Sequence, residues 1–150
     1  MVDSDLINRV RLEVLSLARE SGQVPDATVL AGRLNAPLAG VLHAFSQLGE
    51  AHVYVLEPGD PNRLRMANPF SGVPTPFRVE VDDRRYFGNC VWDALGVVSL
   101  LGRSGRVVTS CPDCREPMVL EVERGHLVNP IGIVHFSVPA RRWWDDIIHT

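Results

Sequence analysis

Leu6, Val10, Val14 and Leu17 recur along one stripe at helical spacing, with Arg9, Glu13, Arg19 and Glu20 elsewhere on the surface, so residues 5–21 predict an amphipathic helix that Gly22 stops. Pro25 and Asp26 start a second, short helix through Leu34. Asn35, Ala36 and Pro37 turn into a third, whose expected buried face is Leu38, Val41, Leu42, Phe45 and Leu48 and which Gly49 ends. The period then shortens to two. His52 to Leu56 alternates as a strand, residues 57–62 (EPGDPN) make a turn, and Leu64 to Ala67 returns. Three helices followed by a two-stranded ribbon predict a winged-helix-like three-helix domain over residues 1–67.

Residues 68–76 (NPFSGVPTP) hold three prolines and a glycine and predict a linker. Phe77 to Val81 alternates as a strand, and Asp82 to Arg85 reads as a polar turn. Asn89 is a good N-cap for an apolar helix that runs from Cys90 and ends at Gly102. Arg106 to Thr109 and Met118 to Val122 predict a hairpin joined by residues 110–117, and Arg124-Gly125 turns the chain again. Val128, Ile131, Ile133, Val134, Phe136 and Val138 predict a last apolar strand. Pro139 begins a C-terminal helix, 140–148, that buries Trp143, Trp144 or Ile147. The expected class is α+β, with a small mixed strand and helix domain over 77–150.

Composition narrows the function. Net charge is −3 and all fifteen basic residues are arginine, which excludes Schiff-base or lysine-nucleophile chemistry. On the third helix, Ala39, Gly40, His43, Ala44, Ser46 and Gln47 would face outward. Only Arg33, Arg63 and Arg65 are near a DNA backbone, so the sequence argues against a nucleic-acid partner. The longest apolar stretch, Ala94 to Leu101, is too short to span a bilayer, and three cysteines do not make a secreted disulfide framework, so a cytoplasmic location is expected.

The chemistry concentrates in residues 86–102 (YFGNCVWDALGVVSLLG). A thiol at the start of a helix feels the positive end of the dipole and the free N–H groups of the first turn, which predicts a lowered pKa for Cys90. Asp93, three residues on, can share its face. The alternative is a small buried cysteine beside a dipole-favoured acid. Cys111 and Cys114 (CPDC) admit three readings. One is a redox pair, although no helix is predicted to follow. Another is a zinc knuckle completed by Cys90, His126 or His135. The third is a soft-metal thiolate site facing Cys90. His135, inside the apolar strand, is the type of residue that usually sits satisfied in a core; His43, His52 and His149 are expected at the surface.

Residues 77–103 (FRVEVDDRRYFGNCVWDALGVVSLLGR), then RVVTSC, then VHFSVPARRWWDD resemble the catalytic domain of the organomercurial (alkylmercury) lyases. The resemblance implies protonolysis of a carbon–mercury bond, in which two thiolates hold the mercury and an aspartate passes a proton to the leaving carbon. Carried over, Cys90 matches the first mercury-binding thiol, Asp93 the proton-shuttling acid, and Cys111 a cysteine of mainly structural role. The family's second metal-binding cysteine precedes the VHF segment, where this chain has Ile131, Gly132 and Ile133. Cys111 or Cys114 would have to serve instead. The resemblance requires no cofactor; the expected partner is a small organomercurial or a metal ion, with mercury or zinc the soft metal held by Cys90, Cys111 and Cys114. The alternatives are a non-catalytic soft-metal thiolate-binding protein and a metal-responsive winged-helix regulator.

Overall fold

The computed structural model of the protein describes residues 4–149, so the outermost positions of the two expected domains, Met1 to Asp3 and Thr150, lie outside it. Helices α1 (Ser4–Ser21), α2 (Ala27–Leu34) and α3 (Leu38–Glu50) are followed by a three-stranded antiparallel sheet of β1 (Val55–Glu57), β2 (Asp60–Ala67) and β3 (Phe70–Ser71) in that order. Asp26 caps α2 by accepting the Val29 N–H at 2.8 Å. Val10, Val14, Leu30, Val41, Phe45 and Tyr54 form the first core. Leu38, expected inside, is 42% exposed, and Ala44 is buried in α3 instead. The Pro-rich stretch 68–76 carries β3, whose Phe70 is buried and pairs with Ala67. It is tied down further where the Thr75 hydroxyl donates to the Gly88 carbonyl at 2.6 Å.

The second sheet has five antiparallel strands, β4 (Arg78–Val81), β5 (Arg84–Phe87), β6 (Gly105–Ser110), β7 (Pro117–Glu123) and β8 (His126–Leu127), in the order β5-β4-β6-β7-β8. Helix α4 (Val91–Leu101) covers it, burying Ala94, Val97 and Val98 against Val79, Val107 and Tyr86. Helix α1 serves both cores: Val10 and Val14 enter the first, Ala18 the second. The hydroxyls of Tyr54 and Tyr86 donate to the Arg11 and Arg19 carbonyls of that helix at 2.8 and 3.0 Å. Both buried phenols are thereby satisfied.

Three expectations need correction. The polar turn is only Asp82-Asp83, with Asp82 at φ +51°, and Arg84 and Arg85 belong to β5, which alternates too weakly in hydrophobicity to be seen. Residues 128–138 are not a strand. The Asn129 side chain takes over the edge of β7, accepting the Glu121 N–H at 2.8 Å and donating to the Val119 carbonyl at 3.2 Å. Pro130 then has no N–H to continue the ladder, and Gly132 turns at φ +75°. The C-terminal helix is a 3-10 turn, Ala140–Asp145, with none of its residues buried. Trp144 instead stacks on His52 at 4.1 Å, and the Trp143 indole donates to the Val138 carbonyl at 3.1 Å. No helix among the described residues is long and apolar enough to cross a membrane.

Gly88 sets how closely β5 approaches α4. A Cβ there would fall against the Ala94 backbone and side chain, so only glycine lets the chain pass under the first turn. Gly88→Ala should therefore push α4 outward and destabilise the fold by about 1–3 kcal/mol, the usual cost of overpacking. Denaturant unfolding checks this.

Candidate functional site

Helix α4 begins one residue later than Asn89 predicts. Cys90 is the N-cap, with extended backbone, and its sulfur accepts the Asp93 N–H at 3.5 Å. A thiol is a weaker acceptor than a hydroxyl, so this capping position is a poor choice for stability alone. Asn89 has moved to a different task. Its Nδ2 donates to Asp93 Oδ2 at 2.9 Å and to Asn68 Oδ1 at 3.0 Å, while its Oδ1 is buried without a partner among the described residues. Asn68 and Asn89 were not singled out as site residues by sequence. The available signal was the four-residue separation of Asn89 and Asp93 across the start of the helix.

Electrostatics reverse one expectation. Burial pushes the Cys90 thiol pKa up, and the Asp93 charge adds to this, against the lowering effect of the Asp93 and Trp92 N–H groups. The dipole of α4 does not overcome desolvation. Burial also raises the Asp93 pKa, against the opposing donation from Asn89. The pair thus shares one environment that disfavours negative charge on either group. Chemically, that is a thiol that can exchange its proton for a soft electrophile with an acid one helical turn away to hold it.

Removing the Asn89 donor has a predictable sign. Asn89 stabilises the carboxylate, so Asn89→Ala should raise the Asp93 pKa further. Any rate that needs protonated Asp93 should then keep its acid form to higher pH, with its alkaline limb displaced upward. A pH–rate profile with an unchanged circular dichroism spectrum checks it.

The register puts all three thiols at one end of the second sheet. Arg78 pairs with Phe87 of β5 on one side and with Val108 of β6 on the other. Cys90 lies three residues beyond Phe87, and Cys111 three residues beyond Val108. The strands leading to them are two interstrand spacings apart, about 10 Å. Cys111 and Cys114 occupy the turn closed by the Ser110–Pro117 pair, and all three cysteines are free. Among the described residues, no group of three or more His, Cys, Asp or Glu gathers around a common point that would hold a metal ion. His126 and His135 are both exposed, so His135 is not the core histidine expected. Trp92 and Phe136 meet edge to face at 6.5 Å, which brings the segment after β8 past the first turn of α4, where Trp92 remains 63% exposed.

Fold and site together define an α+β protein with a half-buried cysteine and aspartate at the start of the helix that covers its larger sheet. The family profile "MerB: Alkylmercury lyase" matches residues 70–150, more than half of the chain, and the chain belongs to that family. Alkylmercury lyases of Bacillus cereus and Clostridium butyricum are each 35% identical to it over 57 residues, which is 38% of this chain and 26% of theirs. The chain thus matches about a quarter of the length of those relatives. A solved structure, "Crystal structure of the mercury-bound form of MerB2", shares the fold with a TM-score of 0.64 at 18% identity, over 85% of this chain and 60% of that one.

Proposed function

We propose that this chain carries out alkylmercury-lyase-like protonolysis, with Cys90 as the mercury-binding thiolate, Asp93 as the proton carrier and Cys111 or Cys114 as the second thiolate. The observation that carries the reading is the Asp93 N–H on the Cys90 sulfur at 3.5 Å, with both groups held toward their protonated forms by burial, inside the segment that the family profile matches. In the first step the Cys90 S–H bond breaks and an S–Hg bond forms. The thiol proton goes to Asp93 and the former mercury ligand leaves as an anion. A thiol of the Cys111–Cys114 turn then loses its proton to solvent, adds to mercury as the thiolate and raises electron density on the carbon. Asp93 delivers its proton there, the C–Hg bond breaks, and a hydrocarbon leaves with mercury held as Hg(II). No oxidation state changes and no cofactor enters. Release of hydrocarbon from a simple aryl- or alkylmercury compound by the reduced protein in excess thiol tests this; a compound bound intact would leave a soft-metal thiolate-binding protein.

The remaining expectations belong to the same reading. Residues 1–67 act as a winged-helix-like packing domain, joined through 68–76 to a lyase-like domain over 77–150, in a cytoplasmic protein. A DNA-binding regulator has less support, because Arg33 is paired with Glu13 and Arg65 with Glu57, each at 3.1 Å, and these are two of the three arginines near a DNA backbone.

A further inference from the structure

The turn between β6 and β7 is closed by its own backbone hydrogen bonds. The Cys111 N–H donates to the Glu116 carbonyl and the Arg115 N–H to the Cys111 carbonyl, both at 2.9 Å, and Arg115 takes φ +63° to bring the chain back. The Arg115-to-Cys111 bond closes over four residues and holds Cys111 and Cys114 within one tight turn. Both thiols are unoxidised, and Cys114 is exposed. The donor set is restrictive. Zinc takes four ligands and hard cations take six or more oxygens, while among the described residues no third His, Cys, Asp or Glu joins this pair. Two adjacent thiolates without a third donor suit a soft, two-coordinate cation.

We propose that Cys111 and Cys114 together form a dithiolate site that holds such a cation without Cys90 or Asp93, and that it takes over the Hg(II) left by protonolysis. Its link to turnover rests on the proposed lyase reading; its ability to bind does not. Occupation breaks two S–H bonds and forms two S–Hg bonds, releases two protons to solvent, and returns the ligands previously on mercury. The shared sheet end allows direct exchange, in which whichever of Cys111 and Cys114 is not yet on mercury loses its proton and adds as the Cys90 sulfur leaves and takes up a proton.

The test is a titration of reduced Cys90→Ser protein with mercuric chloride in excess glutathione, read by thiolate-to-mercury absorption and by intact mass. One Hg(II) per chain should be retained. Cys111→Ser or Cys114→Ser added to that background should each weaken retention by about 100-fold or more, the loss expected when a chelate becomes a single contact. Zn(II) should not displace the bound ion. Both positions lie in a surface turn, and near-ultraviolet circular dichroism confirms that each variant is folded. Failure of folded Cys90→Ser protein to hold Hg(II) against glutathione, or an effect from only one of the two cysteines, overturns the site. Hg(II) retention without hydrocarbon release by the parent counts against the lyase reading alone; hydrocarbon release without Hg(II) retention by the Cys90→Ser variant counts against this site alone.

Discussion

Cys90→Ser protein should fold as the parent does and release no hydrocarbon from an organomercurial. Cys90 occupies an N-cap position where serine is among the preferred residues, so stability should change by no more than about 1 kcal/mol, and upward if at all. The hydroxyl accepts the Asp93 N–H at least as well as sulfur does. It does not take up mercury, so cleavage should fall by about 1,000-fold or more, the scale of losing an essential nucleophile. Thermal unfolding alongside hydrocarbon release separates the two consequences. A cysteine kept only for packing would give the same stability and leave any cleavage intact.

Asp93→Asn should divide binding from chemistry. The amide is close to isosteric, keeps the backbone N–H on the Cys90 sulfur, and still meets Asn89, but it carries no transferable proton. Capture of the organomercurial should be nearly unchanged while its cleavage drops by about 100- to 10,000-fold, the usual contribution of a positioned general acid. The pH dependence follows from the direction of the shifts. Burial raises the Asp93 pKa, so the parent's proton-delivery rate should be full at acid pH and lost as pH rises through that raised value. The same shift acts on stability: the folded chain binds this proton more tightly than the unfolded one, so the stabilisation it contributes is present below the ordinary carboxyl pKa and lost as pH rises through the raised one. Both effects should disappear in Asp93→Asn.

The elements with strong periodicity were legible in the sequence. The stripe of α1, the Asp26 cap and the apolar run of α4 each depend on contacts within a few residues, and the hairpin β6–β7 carries its own alternation. What failed depends on longer-range competition. Residues 128–138 have the composition of a strand, but Asn129 satisfies the β7 edge with its side chain and Pro130 cannot extend the ladder. β3 and β5 are short, and their pairing is decided by β2 and β4 rather than by their own residues. At the site, spacing located Cys90 and Asp93 in one turn, yet the direction of the Cys90 shift depends on how deeply the tertiary fold buries it, which local sequence does not encode. The Asn68–Asn89–Asp93 chain joins residues 25 positions apart in sequence and exists only because the stretch after β2 folds back beside α4.

The most direct test is a single turnover of an arylmercury compound by the reduced parent protein and by Asp93→Asn, with the arene and the mercury species quantified together. The account predicts arene and Hg(II) in equal amounts from the parent, and a bound, uncleaved arylmercury adduct on Asp93→Asn. An equally stable adduct on both proteins, with no arene from either, would contradict it.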